Sequence, residues 1–114
     1  MENSIFRGEI YYADLSSTHS SEQDGIRPVL VIQNNIGNKH APTVIVLPLT
    51  SQLKKNELPT HIAIAGCGLK RPSIILCEQI RTINKDRLLG KIGQADKSTM
   101  VAVGQGIRIS LGLY

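Results

Sequence analysis

Three polar clusters in this chain each stand at the end of an apolar run. Arg27 follows Gly25-Ile26 and precedes Pro28-Val29-Leu30-Val31-Ile32. A guanidinium holds five N–H donors in a rigid planar fork, which suits it to clamp a phosphate. At the mouth of a strand it serves equally well as a surface cation. Thr50, with Ser51 and Gln52 after it, closes the run Val44 to Leu49. Its hydroxyl either caps a short helical turn or donates to an oxyanion. Glu78-Gln79-Ile80-Arg81 follows the run Ile74-Ile75-Leu76-Cys77. Polar side chains just past a core strand are costly to bury unless paired. They form either an internal hydrogen-bond network or a set of groups that reads base edges, for which Glu, Gln and Arg are suited.

Other chemistries lack their residues. His19, His40 and His61 lie about twenty residues apart, with no Cys-x-x-Cys or His-Glu-x-x-His spacing, so no metal site is expected. There is no P-loop, no Gly-x-Gly-x-x-Gly and no Gly-x-Ser-x-Gly elbow. No cofactor is expected. Cys67 lies in a Gly66-Cys67-Gly68 turn, and Cys77 ends an apolar run. Two cysteines make no disulfide scaffold, which favours reduced thiols in a cytosolic protein. Lys54, Lys55, Lys70, Arg71, Lys85, Arg87 and Lys91 are scattered, with no block of like charge. Singly they read as surface cations, and together they read as a possible basic groove.

The elements that must position these groups are mostly strands. The 114 residues suffice for one domain, 1–114, with a core of its own. Aromatics are only 4%, so the core is aliphatic and an aromatic base-stacking sheet is disfavoured. The net charge of +4 suits an anionic partner. Strands are expected at Ile10–Ala13, Pro28–Ile32, Thr43–Leu49, Thr60–Ala65 and Ser73–Cys77, with weaker ones at Arg81–Ile83 and Gly90–Gln94. The unbroken run at Pro28 suits a strand buried on both faces. Such spacing suggests an antiparallel barrel or strongly twisted sheet. Ser16 to Gly25 reads as a long polar loop and Asn35 to Pro42 as a turn-rich connection. Asp96 caps a helix from about Lys97, with Met100, Val103, Ile107 and Leu111 at helical spacing. No apolar run approaches the ~20 residues that span a bilayer, and no signal peptide opens the chain.

Taken in order, Arg7-Gly8-Glu9-Ile10-Tyr11, Ser21-Glu22-Gln23-Asp24-Gly25-Ile26-Arg27-Pro28-Val29-Leu30, Leu49-Thr50-Ser51, Leu58-Pro59-Thr60 and Glu78-Gln79-Ile80-Arg81-Thr82-Ile83 resemble the MazF/PemK/Kid family of toxin endoribonucleases from type II toxin–antitoxin systems. The resemblance is strongest to the Gram-positive MazF branch and runs from Arg7 to about Leu111. It implies a mainly β fold with short helices, an SH3-like twisted barrel (the MazF/CcdB-type toxin fold) with a C-terminal helix. It implies a cytoplasmic homodimer, away from membranes, that cleaves single-stranded RNA without a metal and leaves 2′,3′-cyclic phosphate and 5′-hydroxyl ends. A cognate MazE-like antitoxin would neutralise it. By the same resemblance Arg27 and Thr50 are catalytic, and Ser21, Glu22, Gln23, Glu78, Gln79 and Arg81 contact RNA. Two departures are visible. Some relatives place His before the Glu-Gln pair, where this chain has Ser21, with His19 two residues earlier. The loop from Ile64 to Ser73 is two residues shorter than in close relatives.

A different reading takes the same fold as a protein-binding toxin like the CcdB-type gyrase inhibitors. Those end in Trp-Gly-Ile, whereas this chain ends in Leu111-Gly112-Leu113-Tyr114 and has no Trp. A third reading is an adaptor of the same fold without nuclease activity.

Overall fold

A computed structural model describes residues 4–16, 25–53 and 58–113. Among these residues seven antiparallel strands and two α-helices follow in the order β1 (Glu9–Asp14), β2 (Ile26–Val31), α1 (Asn35–His40), β3 (Thr43–Thr50), β4 (His61–Ile64), β5 (Ser73–Leu76), β6 (Arg81–Asn84), β7 (Leu88–Gln94) and α2 (Lys97–Leu111), with a single 3-10 turn, Lys85–Arg87, between β6 and β7. The strands run β4-β5-β3-β2-β1-β7 across the sheet, with β6 also on β3. Each expected strand is present. The bounds differ by a residue or two at one or both ends of each. Two of these shifts bear on the site: β2 begins at Ile26, so that Arg27 lies inside it, and β3 ends on Thr50.

The alternation of side chains along a strand sends neighbours to opposite faces. Here both faces are buried, as the apolar runs require. Ile10, Leu30, Leu47, Leu49 and Ile75 form one core cluster, closed by Val103 of α2. Tyr11, Ala13, Val29, Val31, Val44, Val46 and Ile83 form the other, closed by Leu15. The expected helix is α2, and Asp96 caps it by accepting from the Thr99 N–H at 2.8 Å. Of its apolar stripe, Met100, Val103 and Ile107 pack on the core. Leu111 does not, and is 55% exposed. The turn-rich connection after β2 contains the short helix α1. It lacks an apolar stripe and carries Gly37, so neither periodicity nor propensity signals it. Its N-terminus is fixed instead by Asn34, which accepts from the Gly37 N–H.

The expected barrel is not closed by strand pairing. β4 and β7 end the strand path and do not pair. The turn after β4 packs against β7 instead. A Cβ on Gly93 would lie 1.9 Å from the Cys67 carbonyl oxygen, and one on Gly68 would lie 2.2 Å from that of Ile92. Main chain meets main chain there, and glycine on both sides permits it.

Candidate functional site

Register decides which polar side chains share a face. Arg27 of β2 stands opposite Ala13 of β1, two steps from the Tyr11–Val29 pair. It therefore lies on the face of the second core cluster, at its rim, and is half-buried. On β3, Val46 belongs to that cluster and Leu49 to the other, which puts Thr50 on the face of Arg27. Val29 pairs with Pro48. Continued by two residues, this register would set Arg27 opposite Thr50. The paired stretch of β2 and β3 ends first, at Val29–Pro48. On its other edge the end of β3 pairs with β5 through Leu49–Ile75 and Thr50–Ile74. Arg81 of β6 stands opposite Val46, again on the second-cluster face. Three of the expected site residues thus come from three strands to one face.

Thr50 is 2% exposed, and its hydroxyl oxygen accepts from the Gln52 N–H at 3.1 Å. That is the turn-capping role. An acceptor bond leaves the hydroxyl proton for a second partner. The residues that would carry a following helical turn lie in part outside the described ones, as do Ser21, Glu22, Gln23 and His19.

Glu78 and Gln79 lie where β3 changes partner from β5 to β6. At that level β3 carries Pro48, which has no N–H for a ladder. The chain leaves the sheet in a turn, with the Gln79 N–H donating to the Leu76 carbonyl. Glu78 is then held from two sides. The Thr60 hydroxyl donates to one carboxylate oxygen at 2.8 Å, and His61 Nε2 lies 3.1 Å from the other. Burial pushes the Glu78 carboxyl up. The hydrogen bonds from Thr60, its own backbone and His61, with the His61 charge, outweigh that and leave it below its ordinary value. The internal network and the base-reading role are compatible. A carboxylate has about four lone-pair sites, so accepting two bonds leaves room for more.

A cleft of about 200 Å³ opens beside Arg27 and is lined also by Tyr12, Ser51, Lys70 and Arg71. Three cations and three hydroxyls, the third from Ser73, converge there, and among the described residues no carboxylate lines it. Such a cleft attracts an anionic strand and can hold its phosphates. Lys70 and Arg71 looked like scattered surface cations in the sequence. The signal that could have singled them out is the Gly66-Cys67-Gly68 turn just before them, which folds the chain back toward β7. Arg81 does not join this cleft. It borders a second one, of about 360 Å³, together with Arg87. Among the described residues, no three His, Cys, Asp or Glu side chains gather to hold a metal ion. Cys67 and Cys77 are free thiols. No helix among the described residues is long and apolar enough to cross a membrane.

The sequence model of a family described as "PemK-like, MazF-like toxin of type II toxin-antitoxin system" matches residues 6–111. "Endoribonuclease EndoA" of Bacillus subtilis (strain 168) is 52% identical over 111 residues, which are 96% of each chain. "Endoribonuclease MazF" of Staphylococcus saprophyticus is 48% identical over 110 residues, covering 95% of this chain and 92% of that one. Among solved structures, "Endoribonuclease in complex with its cognate antitoxin from Mycobacterial species" aligns with a TM-score of 0.78 at 27% identity, covering 99% of this chain and 98% of that one. The MazF crystal structure (Form-I) from Deinococcus radiodurans aligns at 0.84 and 20% identity, covering 97% of this chain and 99% of that one. That last likeness speaks for the fold alone.

Proposed function

Because this chain belongs to the PemK-like, MazF-like toxin family of type II toxin–antitoxin systems, we propose that it is an endoribonuclease toxin that cuts single-stranded RNA at a short sequence. The observation that carries this reading is the placement of Arg27, at once on the face of Thr50 and beside a cleft with Lys70 and Arg71. An oxyanion clamp, a hydroxyl donor and a track for a polyanion are what RNA cleavage requires of a protein.

RNA brings its own nucleophile. The 2′-oxygen attacks the adjacent phosphorus and loses its proton, while the bond to the 5′-oxygen breaks and that oxygen gains one. The products are a 2′,3′-cyclic phosphate and a 5′-hydroxyl. Orientation and charge stabilisation carry most of such a reaction, so the proposed mechanism uses no metal. Arg27 clamps the phosphate and neutralises the charge that builds on it. The Thr50 hydroxyl donates to a non-bridging oxygen. Ser21, Glu22, Gln23, Glu78, Gln79 and Arg81 contact the bases and backbone around the cut. Unpaired bases expose the edges to be read, so duplex RNA resists. The active form is a cytoplasmic homodimer. A cognate MazE-like antitoxin with an acidic, initially disordered segment covers the cleft and blocks it.

The test is cleavage of a long unstructured RNA by purified protein in EDTA, with Arg27→Ala alongside. Cut sites are mapped by sequencing and the new ends typed by mass spectrometry. One short recurrent motif with cyclic-phosphate ends is expected, with at least a hundredfold loss in the variant. A variant that keeps more than about a tenth of the wild-type rate would remove Arg27 from the mechanism. A folded protein that cuts no RNA would remove the nuclease.

A further inference from the structure

The second cleft has its own construction. It encloses about 360 Å³ and is lined by Arg81 and Arg87 together with Ser16, Thr43, Thr82 and Asn84. Among the described residues its side chains are two guanidiniums, three hydroxyls and an amide, with Ile83 the one apolar neighbour.

Arg87 is fixed before anything binds. Its Nη1 donates to the Asp14 carbonyl at 3.1 Å and to the Ser16 carbonyl at 2.9 Å. Both hydrogens of that nitrogen are used. The Nε and Nη2 edge of the fork keeps three N–H donors, the edge that engages a phosphate in bidentate fashion. Arg81 donates to the intervening Leu15 carbonyl at 3.5 Å. The two cations are therefore held by three successive carbonyls of one segment, from β6 and from the turn before β7. Asp14 brings a carboxylate within electrostatic reach of Arg87, and that carboxylate accepts from the Ser16 N–H at 2.9 Å. The Ser16 hydrogen bonds lower its pKa, with a smaller contribution from the charge of Arg87. A side chain whose geometry is set in advance loses little entropy on binding.

The same segment connects this cleft to the site. Ala13 stands opposite Arg27, and the carbonyls that hold Arg87 and Arg81 follow one to three residues later. Three residues of extended chain reach about 10 Å. The geometry points to a second phosphate subsite, in which Arg87 and Arg81 grip one backbone phosphodiester of the bound RNA strand, away from the scissile one. This rests on the proposed nuclease function and adds to it Arg87 and a defined phosphate contact.

The test uses a short RNA containing the mapped cut site, assayed across a salt series. Arg87→Gln keeps amide donors for the Asp14 and Ser16 carbonyls but removes the charge. Arg87→Lys keeps the charge. The glutamine variant should raise KM severalfold, leave the cut position unchanged, and flatten the slope of log(kcat/KM) against log salt by about 0.7, one phosphate contact on a single strand. The lysine variant should restore the slope. A neutral methylphosphonate is then placed at each phosphate within three positions of the cut. One position should weaken cleavage by the wild type and have no further effect on Arg87→Gln. An unchanged salt slope in Arg87→Gln, or no position that loses its effect there, overturns the subsite. Wild-type protein that neither binds nor cuts RNA would instead remove the nuclease function, and the subsite with it.

Discussion

Thr50→Val separates the two roles that the Thr50 hydroxyl can play. Valine matches threonine in shape, so at 2% exposure the packing around it survives. What is lost is one hydrogen bond, from the Gln52 N–H at 3.1 Å. Such a bond contributes about 1 kcal/mol to stability. Gln52 itself is exposed, so water replaces part of that loss. If capping is the whole role, the variant melts a few degrees lower and cleaves RNA at nearly the wild-type rate. If the hydroxyl also donates to the phosphate oxygen, a donor to the transition state disappears, and kcat falls by about 10²–10³. Thr50→Ser keeps the hydroxyl and loses one methyl group, about 0.8 kcal/mol of burial. It should melt no higher than Thr50→Val yet cleave within about tenfold of wild type. The assay is single-turnover cleavage at saturating enzyme, beside thermal melts of all three proteins. The reasoning is refuted if Thr50→Val, folded, cleaves within about fivefold of wild type, since 1 kcal/mol is that factor.

Gly106→Ala should destabilise the protein despite alanine's better helix propensity of about 1 kcal/mol, because the new Cβ would lie 2.7 Å from Cys77 Sγ and 3.1 Å from its Cβ. In a Cys77→Ala background the 2.7 Å approach to sulfur is gone and only the 3.1 Å approach to the Cβ remains, so the same substitution should cost markedly less. Denaturant melts of the four proteins of this cycle would refute the contact by showing additivity. Glu9 is a buried carboxylate. Burial raises its pKa, but donors from Lys91, Phe6 and Tyr11 more than reverse this and leave it below the ordinary 4.5. A folded-state pKa below the unfolded one means stability that is present above pH ~4.5 and is lost as pH falls through the folded value. The melting temperature should therefore fall on acidification below that pH, and fall less steeply in Glu9→Gln. Equal acid sensitivity of the two proteins would count against the network.

How much of this was legible in the sequence depended on whether the signal was periodic. The runs Pro28 to Ile32 and Thr43 to Leu49 announced strands with two apolar faces, and both faces carry a core. Asp96 announced α2, since a capping carboxylate before an apolar stripe is a local code. Helix α1 gave no such signal, because Asn34 and the buried Asn38 hold it through side-chain hydrogen bonds. Closure of the sheet depends on Gly68 and Gly93, twenty-five residues apart. Nothing local marks two glycines as partners.

The site divides in the same way. Arg27, Thr50 and Arg81 could be named because each ends or begins an apolar run. That they share a face followed only from the pairing register of β1, β2, β3 and β6. Parity along each strand was available in the sequence, but register between strands was not, and a slip of one residue would have sent Arg27 to the opposite face. Lys70, Arg71 and Arg87 are the harder case. Each is an unremarkable cation in sequence, and each gains its place from backbone it does not belong to. The turn at Gly66–Leu69, packed on β7, precedes Lys70 and Arg71 beside Arg27, and the carbonyls of Asp14 and Ser16 fix Arg87. Apolar periodicity thus encodes the sheet. The cationic track laid over it depends on main-chain contacts between distant segments, where a glycine or a carbonyl matters and hydrophobic pattern is silent.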